Sequence, residues 1–235
     1  AANIDVVLLD SSQQAADAAK ARIAQALAKE AARREASLQA SAQQANEALL
    51  ARIHPSTNYE LLADCELVIE AVFEDRNIKA QVVKQIEAHL KSDAILASNT
   101  STLAIGSLAS NSATPANVIG LHFFSPVERM PLIEVIVAPE TSQTTLAHAL
   151  DFIAQLRKTP IVVNDSPGFF TSRIFCSYID EGMAMLAEGI SPVLIENAAR
   201  MLGFATGPLA VTDEVSLELQ KRVVDQAIAD QLAPE

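Results

Sequence analysis

The chain has 235 residues, half of them hydrophobic, with 17 basic against 29 acidic side chains and a net charge of −12. That length can bury a sizeable core in one large domain or two modest ones, while so acidic a balance, no Trp and only 4% aromatic residues argue against nucleic acid and anionic membrane surfaces. No apolar run approaches the roughly 20 residues of a bilayer span and the first residues lack a signal peptide's basic and apolar regions, so a soluble cytoplasmic protein without a membrane span is expected.

Ile4 to Leu9 is an apolar strand closed by Asp10, and an Ala-rich helical stretch follows from Gln13. In dinucleotide-binding sheets such an acid accepts hydrogen bonds from the adenosine ribose and selects NAD over NADP by repulsion. The plainer alternative is that Ser11 or Asp10 caps the helix. The first 105 residues contain no glycine, so a Gly-rich phosphate loop is absent from them. The expectation is a chain that starts after the first strand and its loop. In the usual strand order 3-2-1-4-5-6 that strand would lie between Ile4 to Leu9 and the strand beginning at Leu67.

Residues from about 15 to 52 read as an exposed helical hairpin, and Ile53 to Pro55 as a short strand. Leu67 to Phe73 and Ala94 to Ala97 are strands separated by a helix reaching Leu90, which is a β-α-β alternation and builds a parallel sheet. The second strand ends in Ser98-Asn99-Thr100-Ser101-Thr102, at the carboxyl end where open α/β sheets bind ligands. Alternatively Ser101 or Thr102 caps a helix over Leu103 to Leu108.

Val118 to Leu121 and Leu132 to Val137 read as buried strands flanking a loop with Pro126 and Pro131. His122 ends the first and Glu134 lies inside the second, so packing them side by side would form an acid-base centre. A Glu among apolar neighbours is costly unless it has a partner. The alternative is a satisfied core histidine with a glutamate on the wet face of an edge strand. A helix from Thr144 to Leu156 and a strand from Pro160 to Val163 follow, and Asn164-Asp165-Ser166-Pro167-Gly168 then ends the alternation. Helices are expected at about 169 to 188, 191 to 202 and 212 to 232. Cys65 and Cys176 have no metal-type spacing and are expected to be buried thiols.

Leu-Val-Ile-Glu-Ala-Val-Phe-Glu-Asp at 67 to 75, Ala-Ser-Asn-Thr-Ser at 97 to 101, His-Phe-Phe-Ser-Pro-Val at 122 to 127, Leu-Ile-Glu-Val at 132 to 135 and Asp-Ser-Pro-Gly-Phe-Phe at 165 to 170 together resemble the L-3-hydroxyacyl-CoA dehydrogenases. The likeness is strongest to the dehydrogenase part of the multifunctional fatty-acid β-oxidation enzymes, truncated at both ends. It implies an α/β, Rossmann-type doubly wound, mostly parallel sheet over 1–165, its first strand and Gly-rich loop missing, and an incomplete all-helical domain over 166–235.

It further implies NAD as cofactor, L-3-hydroxyacyl-CoA as substrate, and a dyad of His122 and Glu134 with Ser101 on the substrate hydroxyl. Cofactor contacts would fall to Asp10, Ala71, Val72, Glu74, Lys79 and Asn99, although Lys79 also reads as the solvated face of a helix. The family's active-site Asn is Ser172 here, a shorter group that reaches substrate through water. The family places cations of the hairpin against CoA, and Lys29, Arg33 and Arg34 stand there, with Arg33 and Arg34 the candidate substrate contacts. A homo-oligomer, or a larger multifunctional chain with an enoyl-CoA hydratase domain, would be its setting. Two alternatives stay open: an inert fragment serving domain or subunit association, and a hydroxy-acid dehydrogenase that does not use CoA.

Overall fold

A computed structural model of the chain describes residues 2–33, 36–215 and 221. Its strands are β1 (Val6–Leu9), β2 (Ile53–Ser56), β3 (Leu67–Glu70), β4 (Ile95–Ser98), β5 (Val118–Phe123), β6 (Leu132–Val137) and β7 (Thr159–Asn164). The helices are α1 (Gln13–Ala31), α2 (Ala36–Ala51), α3 (Arg76–Glu87), α4 (Ile105–Ala109), α5 (Gln143–Gln155), α6 (Thr171–Ala187), α7 (Pro192–Met201) and α8 (Pro208–Val215). The expected last helix is therefore seen as α8, and the rest of the stretch to Leu232, apart from Lys221, lies outside the described residues.

The fold is a mostly parallel sheet with helices followed by a helical unit. β3-β4-β5-β6-β7 form one sheet in that order, every neighbour parallel except the β5–β6 pair. β1 and β2 form a separate parallel pair. Among the described residues no ladder joins β1 to β3, so the direct pairing that would contradict the expected strand order is not formed. Pro55 and Pro160 lie in β2 and β7, both edge strands, where a missing N–H is tolerated. β3 stops at Glu70, short of Phe73, because residues 71 to 75 turn away to start α3.

Period-2 alternation sorts the sheet residues onto two faces. Ile95, Ala97, Ile119, Leu121, Ile133 and Val135 pack with Ala149 and Ile153 of α5. Leu96, Val118 and Ile136 pack on the other side with Val83 and Ile86 of α3, Ile105 and Leu108 of α4, and Phe169. His122 and Glu134 share the parity of Val118 and Ile136, so they belong to the face covered by α4 and the entry into α6. Gly120 permits that cover: a Cβ there would stand 2.8 Å from the Cβ of Ile136 and 2.9 Å from Ile105.

Two capping expectations are corrected. Ser12, not Ser11 or Asp10, caps α1 by accepting from the Ala15 amide. The N-terminus of α4 is held by Asp165, sixty residues on, whose two carboxylate oxygens accept from Ile105 N at 2.8 Å and Gly106 N at 2.7 Å. A carboxylate outranks a hydroxyl there because it meets both amides and the positive end of the helix at once. The hairpin α1–α2 is largely exposed, as expected. Both cysteines are free, but Cys176 is exposed on α6 and Cys65 only half-buried, contrary to the buried pair expected.

Candidate active site

Antiparallel pairing sets His122 directly across from Glu134. β6 lies between β5 and β7, so Glu134 is fully buried in an interior strand and the wet-edge alternative fails. His122 Nδ1 and Glu134 Oε2 are 2.8 Å apart. An ionised carboxylate can only accept, which assigns a proton to Nδ1, and in the neutral imidazole the Nε2 lone pair is then the one that can act as a base. Ser101 Oγ stands 3.1 Å from that Nε2. The imidazole packs beside the ring of Phe124, centroids 4.6 Å apart, and meets that of Phe169 at 6.1 Å.

Glu134 has further partners. Its Oε1 accepts from Phe170 N at 3.0 Å and Thr171 N at 2.8 Å, and the Thr171 hydroxyl donates to Oε2. Gly168 and Phe169 both have positive φ, a left-handed turn that presents those successive amides to the carboxylate. Burial alone would raise the Glu134 pKa, but the Thr171 hydroxyl, His122 and the two amides outweigh it and hold the acid below its ordinary value. Ser172, the predicted residue, is partly buried at the start of α6 but makes no side-chain hydrogen bond among the described residues. The hydroxyl that donates to Glu134 is that of Thr171, one residue earlier.

The loop carrying Ser101 is tied down on two sides. Asn99 Oδ1 accepts from Phe123 N of β5 at 2.8 Å. Glu74 Oε1 accepts from Ser101 N, Thr102 N and Thr102 Oγ, each at 3.0 Å, and from the Thr100 hydroxyl. Burial would raise the Glu74 pKa, but the Thr100 hydroxyl, the Lys79 charge and the Thr102 contacts outweigh it and the net shift is downward.

Lys79 is not on a solvated helix face. It is fully buried, and its Nζ reaches both oxygens of Glu70 at 3.0 Å, Val72 O at 3.3 Å and Glu74 Oε2 at 3.4 Å. Glu70, absent from the sequence-based candidates, also accepts from Ser98 Oγ and from Val72 N. The clue was present: Glu70 sits in an apolar strand as Glu134 does, and Lys79 shares a helical face with the buried Val83 and Ile86.

The remaining candidates are more peripheral. Asp10 is exposed at the carboxyl end of β1, where its Oδ1 accepts from the amide and hydroxyl of Ser11. Ala71 is exposed and Val72 partly so, at the carboxyl end of β3. Arg33 is exposed just past α1, and Arg34 lies outside the described residues. No cluster of His, Cys, Asp and Glu among the described residues could hold a metal ion.

The 3-hydroxyacyl-CoA dehydrogenase NAD binding domain matches residues 1–166, and the C-terminal domain of the same family matches 168–234. The chain belongs to the 3-hydroxyacyl-CoA dehydrogenase family. Among solved structures it is similar to (S)-3-hydroxybutyryl-CoA dehydrogenase PaaH1 from Ralstonia eutropha, with 33% identity over 99% of this chain and 81% of that one and a TM-score of 0.90. FadB2 from M. tuberculosis gives 28% identity over 99% and 81%, with a TM-score of 0.88. The 3-hydroxybutyryl-CoA dehydrogenase of Escherichia coli K12 gives 30% identity over 93% of this chain but 46% of that one, with a TM-score of 0.86.

This member of the 3-hydroxyacyl-CoA dehydrogenases is thus an oxidoreductase that uses NAD. Its residues fit that cofactor at two places. Asp10 has a carboxylate oxygen not engaged by Ser11, suited to ribose hydroxyls. The exposed backbone at Ala71 and Val72 offers carbonyls and amides beside the Ser101 loop. The first 105 residues supply no glycine for a pyrophosphate cradle.

Proposed function

We propose that this chain carries the NAD-dependent oxidation of L-3-hydroxyacyl-CoA to 3-oxoacyl-CoA, in fatty-acid β-oxidation, with His122 and Glu134 as the catalytic dyad. The observation that carries the reading is the line of contacts Ser101 Oγ, His122 Nε2, His122 Nδ1, Glu134 Oε2, with successive gaps of 3.1 and 2.8 Å outside the ring. A secondary alcohol beside Ser101 would donate its proton to Nε2, and Ser101 would hold the substrate oxygen in place. As the proton arrives, the imidazolium is stabilised by the buried carboxylate already hydrogen-bonded to Nδ1. NAD, when bound, takes the hydride released from C3.

Glu134 is suited to this work because its second oxygen is held by amides, which keeps it ionised and fixed in orientation. Asp10, Ala71, Val72, Glu74 and Asn99 are the proposed cofactor-side residues, with the buried Lys79 acting there through Glu74, and Ser172 and Arg33 are assigned to substrate, with Arg34 carried over from the resemblance. We assign the chain to an assembly, either a homo-oligomer or a multifunctional chain containing a hydratase domain. The deciding assay follows NADH formation from L-3-hydroxybutyryl-CoA and from free L-3-hydroxybutyrate. Turnover of the thioester alone supports the reading, equal turnover of both points to an acid dehydrogenase, and no turnover with either overturns it.

A further inference from the structure

Ser101 presents its hydroxyl to His122 only while its backbone stays where it is; Asn99 ties the start of the loop to Phe123 N, the Thr100 hydroxyl accepts from Leu103 N at 2.9 Å, and the Ser101 amide itself is held by Glu74. This backbone belongs to a short loop between β4 and α4. The Ser101 amide donates to Glu74, and so do the amide and hydroxyl of Thr102 and the hydroxyl of Thr100. One carboxylate oxygen therefore gathers four donors from three consecutive residues. Glu74 comes from the segment between β3 and α3.

The other oxygen of Glu74 faces Lys79 Nζ at 3.4 Å. Lys79 is anchored in turn by the bidentate contact to Glu70, which is itself buried at the end of β3 and bonded to Ser98 at the end of β4. An ammonium removed from water is retained only with such partners, so Lys79 has little freedom to swing elsewhere. The result is a chain of charge-assisted contacts, Glu70 to Lys79 to Glu74 to Ser101, that ends on the imidazole.

We propose that Glu74 is a positioning residue for Ser101, acting through the loop backbone and anchored by the buried Lys79–Glu70 pair, in addition to any contact it makes with the cofactor. The inference rests on the dehydrogenase reading for its kinetic consequence, but its structural part stands apart from it. An amide at position 74 cannot reproduce the arrangement. Gln has one acceptor and one donor end: if the oxygen keeps the four donors, the NH2 confronts the ammonium of Lys79, and if it turns to Lys79, the NH2 confronts the donors.

The test compares Glu74→Gln, Ser101→Ala and the double variant by two readouts. In 15N-histidine-labelled protein, with and without NAD, Glu74→Gln should move the His122 Nε2 resonance in the direction that Ser101→Ala moves it, and the double variant should coincide with Ser101→Ala. In the NADH assay at saturating NAD, Glu74→Gln should lower kcat about ten- to a hundredfold, and the double variant should be no slower than Ser101→Ala. An unmoved His122 resonance, or losses that multiply in the double variant, would overturn the proposal and leave Glu74 an independent cofactor contact. Wild-type protein inactive on hydroxyacyl-CoA would sink the dehydrogenase reading, while the His122 resonance would still decide whether Glu74 governs Ser101.

Discussion

Glu134 caps the helix that begins at Thr171, accepting from its amide at 2.8 Å and from its hydroxyl while the same carboxylate holds His122. One buried acid thus joins the sheet, the helical unit and the imidazole. Glu134→Gln should lower kcat by roughly two to four orders of magnitude, because the imidazolium formed in the transition state loses its counter-charge. The fold should survive with a stability loss of about 1–2 kcal/mol, since the amide oxygen can still accept from the helix. Circular dichroism and steady-state rates check both halves, and an unchanged kcat removes Glu134 from the mechanism.

Thr171 and Ser172 should separate cleanly. Thr171→Val deletes the hydroxyl donated to Glu134 and should cost about 1 kcal/mol of stability and several-fold in kcat. Ser172→Ala removes no hydrogen bond of the described structure, so Tm should not move, while KM for the acyl-CoA substrate should rise. The reverse pattern, with Ser172 controlling Tm, would contradict the described geometry.

Acid should unfold the protein through the same carboxylates. The pKa values of Glu134 and Glu74 are lowered in the folded state, so between those values and the unfolded value of about 4.3 the unfolded chain binds more protons. Their stabilisation is present above that range and lost as pH falls through the folded values. Tm should be nearly flat from pH 7 to about 5 and then drop, and Glu134→Gln should drop less steeply. Identical slopes in both proteins would show that Glu134 is not a source of the acid sensitivity.

The strand that carries Glu134 and the one that carries His122 are readable from their β-branched runs, and the period-2 rule then assigns both residues to one face. The same rule is silent on Asp165 capping α4 or Thr171 meeting Glu134, because those partners lie 60 and 37 residues apart with no local pattern linking them. The solvated face stands as an alternative for Lys79 because a lysine on an amphipathic helix usually is solvated. Only the buried Glu70 beneath it, itself visible as a charge within an apolar strand, reverses that preference. A motif tells which residues meet less reliably when the contact is made by backbone amides, as at Phe170 and Ser101, since any side chain can stand there.

Asp10 should enforce the cofactor choice. A 2′-phosphate beside this carboxylate would meet a like charge, so kcat/KM should favour NAD over NADP by about a hundredfold, and Asp10→Ser should narrow the ratio. Equal values for the two cofactors in the wild type would exclude Asp10 from ribose recognition.

Gly120 offers a test that involves no catalytic group. A methyl there would fall 2.8 Å from Ile136 Cβ and 2.9 Å from both Cγ1 and Cδ1 of Ile105, and all three atoms belong to residues with no solvent exposure. Ile136 cannot retreat, because its Cβ is fixed to β6 by the pairing of Gly120 with Ile136. Ile105 can move only by shifting α4, whose first amides are held by Asp165. Overpacking of this kind costs about 1–3 kcal/mol, or roughly 2–12 °C in Tm for a chain of this size. Because Gly120 shares a strand and a face with His122, the strain should also widen the dyad and lower kcat. Adding Ile105→Val withdraws the Cδ1 contact and should recover part of both losses. Gly189→Ala serves as the control: its φ of +87° makes any side chain unfavourable, but nothing lies within 4 Å of the added methyl, so about 1 kcal/mol of stability should be lost with kcat unchanged. Equal Tm and kcat for wild type and Gly120→Ala would mean that α4 does not press on β5 as closely as described.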